Sequence, residues 1–101
     1  MDSLVGKVLV RTTKFGKTVN SFYVVEKESR TVAMARRIGR TIVSGDPREG
    51  WEVADPNAPP PHPETLRFFK RLDENGRLDH FVGGGWDATF YDGQPLPFKA
   101  G

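Results

Sequence analysis

Residues 15–40, FGKTVNSFYVVEKESRTVAMARRIGR, join the densest apolar run of the chain to its densest positive charge. Residues 22–25 (FYVV) are aromatic and β-branched, the residue types that suit a pleated, half-buried strand. Polar residues flank this block on both sides, and the short link 26–30 (EKESR) follows it. We therefore expect residues 31–38 (TVAMARRI) to fold back on the first strand as an antiparallel hairpin.

The second half of this hairpin also has a helical interpretation. Ser29 is a suitable helix N-cap, and apolar residues recur at helical spacing at positions 32, 35, 38 and 42. Gly39 and the β-branched residues at 31, 32 and 41–43 favour a strand instead. In a strand, Arg36 and Arg37 point to opposite faces, so at least one of the two side chains is exposed to solvent.

The chain has 101 residues, which is enough for one domain with a modest core. It has no cysteine, which excludes a disulfide framework, thiolate metal sites and a cysteine nucleophile. We find no basic-then-apolar leader and no apolar run near the ~18 residues of a membrane span. The expected location is the cytoplasm, without membrane contact.

Charge is distributed unevenly along the chain. Residues 1–45 contain nine basic and three acidic side chains, whereas residues 46–101 contain six basic and ten acidic ones. This polarity suits a face that attracts a polyanion, but it equally suits two halves of one small domain that attract each other.

Several further elements follow from composition. Residues 4–12 (LVGKVLVRT) predict a first strand, and residues 13–21 predict a loop that carries Phe15 between Lys14 and Lys17. An aromatic ring between two lysines suits base stacking with phosphate neutralisation, although the ring could also fold back onto the edge of the domain. Residues 44–50 (SGDPREG) have the glycine, aspartate and proline content that predicts a turn, and residues 51–53 (WEV) predict a short strand.

Residues 55–63 (DPNAPPPHP) contain five prolines and predict a stiff surface connector, with a proline-rich ligand segment as the alternative. Residues 66–72 and 77–82 predict a second hairpin turned by Asn75-Gly76, against a competing helix over 63–75. Glycines 83–85 indicate a close backbone approach or a sheet corner. The overall expectation is a mainly β fold: a small, SH3-like, strongly bent antiparallel barrel of five to seven strands with at most one short helix.

Three segments in chain order carry a family resemblance: residues 18–25 (TVNSFYVV), 31–39 (TVAMARRIG) and 91–95 (YDGQP). They resemble the T-N-V-x-F-Y-x-V-V, T-V-x-x-R-x-I and W-D-G-x-P segments of small uncharacterised proteins common in phages, prophages and plasmids. The chain departs from this pattern where Val19-Asn20 reverses the usual order, where no residue separates the aromatic pair from the valine pair, and where Tyr91 replaces tryptophan. The resemblance implies a mobile-element origin and a mostly β fold, but no mechanism.

No catalytic or metal-binding signature is present in the sequence. His62 lies among prolines and His80 between Asp79 and Phe81, without the spacing or third ligand that a metal site requires. The serines lie in no nucleophile elbow, and the glycines of the tail do not form a phosphate-binding loop. We therefore expect a protein that is not an enzyme and that has no cofactor and no metal.

Two functional classes remain. The first is a nucleic-acid-binding domain for DNA or RNA, with a basic face of Lys14, Lys17, Arg36, Arg37 and Arg40 and with Phe15 or Tyr23 stacking on bases. The second is a protein-interaction module that inhibits or redirects a host protein through Trp51, Trp86, Phe90 and Tyr91. The aromatic residues of the tail have a further interpretation as core, because large rings are costly to leave in water.

Overall fold

The computed structural model of the protein describes residues 3–100, which form eight antiparallel β-strands. In chain order the strands are β1 (Val8–Lys14), β2 (Thr18–Glu28), β3 (Val32–Asp46), β4 (Glu49–Asp55), β5 (Thr65–Leu72), β6 (Leu78–Gly83), β7 (Trp86–Phe90) and β8 (Leu96–Lys99). The prediction of a small, strongly bent antiparallel β fold is confirmed, with eight strands instead of five to seven. Within residues 3–100, no helix long and apolar enough to span a membrane is found.

The strand pairings close into two rings that share the β2–β3 hairpin. The first, which we call the six-strand ring, runs β1-β2-β3-β5-β6-β7 and returns to β1. The second, which we call the four-strand ring, runs β2-β3-β4-β8 and returns to β2. Because β2 and β3 are long, with 11 and 15 residues, they contribute to both rings.

The hydrophobic core fills the six-strand ring, and each of the six strands contributes to it. Alternation along a strand sends every second side chain inward, so these residues share one face. The aromatic side chains pack in two edge-to-face pairs. The ring centroids of Tyr23 and Phe68 lie 5.1 Å apart, and those of Phe81 and Phe90 lie 5.3 Å apart. The buried cluster comprises Leu9, Tyr23, Val25, Ala33, Ala35, Phe68, Phe81 and Ala88.

The β2–β3 hairpin confirms the prediction made from residues 15–40. Tyr23 lies opposite Arg37 and Val25 opposite Ala35, with a bulge between Val25 and Lys27. Ser29 closes the connection, because its hydroxyl accepts from the Val32 amide at 3.2 Å. The helical alternative for this segment is wrong, since β3 also pairs with β5 along its other edge and so has its backbone satisfied on both sides.

The second predicted hairpin is also confirmed, as β5 and β6, and the alternative helix over 63–75 is wrong. Gly76 has φ +77°, the left-handed conformation that an L side chain rarely adopts. Gly83 serves a different purpose: a Cβ there would lie 2.7 Å from a ring atom of Phe68. The glycine run therefore provides both a close approach to the core and, at Gly84 and Gly85, the turn into β7.

The bounds of the first strand and of the loop that follows it differ from the sequence-based prediction. The first strand begins at Val8 instead of residue 4, and the predicted loop over 13–21 shrinks to residues 15–17 because Lys14 and Thr18 already pair. The proline-rich connector joins β4 to β5, and the Gly39 amide donates to the Ala58 carbonyl of the connector at 3.1 Å. The aromatic residues of the tail differ in burial: Phe98 belongs to the buried residues, whereas Trp86 and Phe90 are partly exposed.

Candidate nucleic-acid interface

The turn between β1 and β2 carries Lys14, Phe15 and Lys17, as the sequence suggested. The Phe15 amide donates to the Lys17 carbonyl at 3.0 Å, and Gly16 takes φ +71°, which lets the chain reverse within three residues. The Phe15 side chain is 75% exposed. The turn therefore holds an aromatic ring out in solvent with a lysine on either side.

Trp86, at the start of β7, lies beside this turn. Its ring meets Phe15 edge-to-face, with centroids 6.1 Å apart and an interplanar angle of 81°. Trp86 is itself 42% exposed, so the pair keeps free surface available to a planar partner. We call the group of Lys14, Phe15, Lys17, Trp86 and Arg11 the Phe15–Trp86 patch.

Arg11 supplies the third positive charge of this patch. It follows Leu9 by two residues on β1, so its side chain starts from the inner face and reaches the mouth of the six-strand ring. Its guanidinium lies 6.0 Å from the Trp86 ring and 5.8 Å from the Tyr23 ring, within the range of cation–π attraction. The guanidinium is thereby held against the aromatic residues without an acidic partner within residues 3–100.

The lysines of the patch are also free of acidic partners. Across residues 3–100, neither Lys14 nor Lys17 forms an ion pair. Asp87 follows Trp86 directly, but alternation along β7 directs it to the opposite face of the strand. The local charge of the patch is therefore positive and uncompensated.

The three hairpin arginines are placed differently from the predicted basic face, because each has a carboxylate partner. Arg36 is displayed but lies 3.3 Å from Glu26, and Arg37 turns inward with its side chain only 12% exposed. The Arg37 guanidinium donates to the Ser21 hydroxyl at 3.2 Å and lies 3.8 Å from Glu64. The alternation predicted for Arg36 and Arg37 is thus confirmed, but Arg37 does not join a solvent-facing patch.

Tyr23 cannot stack on a base in this fold, which corrects its place in the predicted interface. Its ring is fully buried in the six-strand ring, and its hydroxyl donates to Glu64 at 2.8 Å. Burial, reinforced by the hydrogen bond to Glu64, raises the pKa of Tyr23 to about 12. The residue acts as core and as an anchor for Glu64.

This environment gives a prediction for alkaline pH. Because the pKa of Tyr23 is about 12 in the folded protein and 10.0 in an unperturbed tyrosine, the unfolded chain loses the proton first as pH rises. We expect the free energy of unfolding to fall as pH rises from about 10 to about 12 and the Tyr23 contribution to be complete below that window. Urea denaturation across this range measures the slope.

Tyr23→Phe is the control, since it keeps the ring and should remove most of this slope. Tyrosinate absorbance of the folded wild-type protein gives a second measurement. Burial also raises the pKa of Tyr91, so neither tyrosine should titrate at its ordinary value. A tyrosinate step for both residues at the unperturbed value would contradict the prediction.

The third arginine, Arg40, belongs to a polar network that the sequence did not reveal. Glu52 is only 1% exposed, and its carboxylate accepts from Arg40 at 2.5 Å and from the Asn20 side-chain amide at 2.8 Å. Asn20 in turn accepts from the Thr12 hydroxyl at 2.6 Å. The Arg40 guanidinium lies 4.5 Å from the ring centroid of Phe98. The orientation of Glu52 is the opposite of what its charge suggests. A charged residue between the apolar residues Trp51 and Val53 would be expected to point to solvent, yet the Glu52 side chain faces inward and Trp51 faces outward.

The four residues predicted as protein-interaction anchors do not form one surface. Trp86 and Phe90 lie at opposite ends of β7, about 13 Å apart at the usual rise per residue. Tyr91 packs on Phe22 with centroids 5.0 Å apart, and its hydroxyl donates to the Gln94 carbonyl at 2.7 Å. Trp51 is 48% exposed on β4, in the four-strand ring. Only Trp86 gains an exposed aromatic neighbour, Phe15.

The arrangement of acids and histidines offers no ligand set. Within residues 3–100, no group of three or more His, Cys, Asp or Glu side chains is placed to hold a metal ion. His80 contacts Asp79 at 2.8 Å, and His62 lies exposed on the connector. Comparisons with known protein families, with curated proteins and with solved structures found no match.

Proposed function

We propose that the protein is a non-enzymatic accessory protein of a phage or other mobile element that binds single-stranded nucleic acid weakly in the host cytoplasm. The observation that carries this proposal is the exposed Phe15–Trp86 pair beside Lys14, Lys17 and Arg11, none of which has an acidic partner in the described chain. The origin and the location rest on the sequence resemblance and composition.

Single strands fit this patch better than duplex does. Unpaired bases present their faces, and aromatic side chains that stack on them contribute about 1–3 kcal/mol per base. Within residues 3–100 there is no helix to enter a major groove, so the contacts would go to phosphates and base faces. Binding of this kind is largely indifferent to sequence.

The number of free cations sets the strength and the salt dependence. Lys14, Lys17 and Arg11 give three positive groups at the patch, whereas Arg36, Arg37 and Arg40 are engaged by Glu26, Glu64 and Glu52. Each phosphate neutralised on a single strand contributes about −0.7 to the slope of log affinity against log salt. A small number of such contacts gives weak binding at physiological salt.

Replacing Lys14 and Lys17 with alanine should therefore flatten this slope by about 1.4, because two phosphate contacts are lost. Replacing Phe15 with alanine should lower the affinity without changing the slope, because stacking is not electrostatic. Titration of labelled single-stranded DNA and RNA from about 50 mM salt upward measures both effects.

Arg36→Ala combined with Arg71→Ala is the matched control, since it removes the same formal charge from exposed positions outside the patch. An equal change of slope in this control would show that only net charge matters and would refute the patch. If no complex with any single strand forms at about 50 mM salt, binding to a host protein through the exposed Phe15 and Trp86 becomes the better explanation.

A further inference from the structure

We propose that Arg11 gives the Phe15–Trp86 patch a preference for guanine at one position of a bound single strand, by donating to the N7 and O6 atoms of that base. The inference rests on the proposed function, and it adds one preferred base to binding that is otherwise largely indifferent to sequence. It follows from the unused donors of Arg11, from the opening between β1 and β7 beside it, and from the exposed rings of the patch.

The donors of the Arg11 guanidinium are unused within residues 3–100. The guanidinium forms no ion pair there, and its Nε is buried without a hydrogen-bond partner. Arg37 also has such an Nε, but its other nitrogens are engaged by Ser21 and Glu64. Of the Arg11 nitrogens only Nε is fully buried, so the two terminal nitrogens keep access to solvent. Side chains with buried polar atoms normally have acceptors, and Arg11 lacks one.

Packing holds the Arg11 guanidinium in place although it has no acceptor. The guanidinium lies 6.0 Å from the Trp86 ring and 5.8 Å from the Tyr23 ring. On a further side, a Cβ added at Gly84 would lie 3.8 Å from its Nη1. A donor group that is already confined loses less freedom when a ligand binds. Arg11 therefore presents a planar fork of N–H donors in a restricted position.

An opening between β1 and β7 gives access to this fork. The ladder between the two strands consists of Leu9–Phe90 and Val10–Thr89. From Arg11 onward, β1 continues to pair with β2, and residues 86–88 continue to pair with β6, but the two strands no longer pair with each other. Because Phe15 follows β1 and Trp86 begins β7, the exposed aromatic pair lies at the wide end of this opening.

The lysines and Arg11 are placed to meet different parts of a strand. Lys14 and Lys17 are exposed on the turn that carries Phe15, where the phosphates of a stacked nucleotide would pass. Arg11 is only partly exposed and lies behind the rings, at the mouth of the six-strand ring. The edge of a base stacked on the patch reaches this recess more readily than its phosphate does. A contact to a base edge carries sequence information, whereas a phosphate contact does not.

Guanine is the base whose edge fits such a fork. Its N7 and O6 are neighbouring acceptors, and arginine meets them with two N–H donors. Adenine carries an amino donor in the place of O6, and thymine offers one acceptor on the corresponding edge. A bidentate contact of this kind discriminates against the wrong base by roughly 5- to 140-fold. We expect about fivefold here, because the site is open to water on one side.

The test compares short labelled oligothymidylates that carry one central guanine, 7-deazaguanine, adenine or cytosine, titrated at about 50 mM salt, where electrostatic binding is strong. The guanine strand should bind about fivefold more tightly than the adenine strand. The 7-deazaguanine strand, which lacks the N7 acceptor, should lose most of this advantage. Cytosine also has two neighbouring acceptors, N3 and O2, so a cytosine strand that binds as tightly as the guanine strand would overturn the assignment to guanine.

Arg11→Lys tests the residue, because it keeps the positive charge and removes the fork. The affinity for the guanine strand should fall about fivefold, to that for the adenine strand. Arg71→Lys on β5 is the matched control, since it makes the same exchange at an exposed position outside the patch and should keep the preference. A preference that survives in Arg11→Lys would overturn the role of Arg11.

The comparison of guanine with 7-deazaguanine needs no protein variant, so it decides the question even if Arg11→Lys does not fold. Equal affinity of the wild-type protein for all four strands would overturn this inference and leave the proposed function standing. Absence of a complex with every strand would overturn both.

Discussion

Deletion of residues 86–101 should abolish cooperative folding, because it removes both β7 and β8 and so opens both rings. Without β7, β1 and β6 each lose a paired neighbour and become sheet edges. Without β8, β4 loses its outer partner and Phe98 is lost from the buried residues. A domain of this size has only about 5–15 kcal/mol of stability in total, and loss of two closing strands exceeds what it can sustain.

Thermal unfolding followed by circular dichroism is the measurement for this deletion. Removal of residues 100–101 alone is the matched control, since it keeps every strand and should melt close to the full-length temperature. The two partly exposed rings, Trp86 and Phe90, offer an alternative in which the tail serves mainly as a binding surface. A truncated chain that still melts cooperatively near the full-length temperature would favour that alternative.

The second large effect is expected from Arg40→Ala, which should lower the free energy of unfolding by about 3 kcal/mol. The change leaves the carboxylate of Glu52, which is 1% exposed, with Asn20 as its remaining donor. A buried charge that loses its partner retains the full cost of its desolvation. We choose the lower part of the usual range because the Arg40 side chain is 41% exposed. Urea denaturation gives the value.

Arg36→Ala is the control for this prediction, because its pair with Glu26 is exposed on both sides and contributes at most about 1 kcal/mol. Arg40→Gln combined with Glu52→Gln should be milder than Arg40→Ala, since it removes both charges and keeps polar groups in the network. If Arg40→Ala costs no more than Arg36→Ala, the buried ion pair does not have the structural role that its geometry indicates.

The sequence predicts those parts of the fold that depend on local pattern. Residues 22–25 could be recognised as a strand because aromatic and β-branched residues favour an extended backbone whatever they pack against. Asn75-Gly76 could be recognised as a turn because the left-handed conformation is available there at little cost. The opposite orientations of Arg36 and Arg37 follow from strand geometry alone. Each of these inferences depends only on neighbouring residues.

The remaining features depend on contacts between residues distant in the sequence. Glu52 faces inward because Arg40 and Asn20 converge on it from β3 and β2, and nothing near Trp51 or Val53 indicates this. The β8 segment carries Pro97, which lowers its strand signal because proline lacks the amide that a ladder needs. The contact between Phe15 and Trp86 likewise required the closure of the six-strand ring.

The two rings are closed with different strength, which has a consequence for local unfolding. β8 pairs with β2 through the single position Thr18–Lys99, whereas β1 pairs with β2 along its whole length. Regions with few paired backbone groups open at a lower free energy than the global transition, in contiguous cooperative units. The contact between β2 and β8 is such a region, so amide hydrogens on β8 should exchange well before those of Leu9 or Tyr23. Opening there exposes the Glu52 network to water while the core of the other ring stays folded.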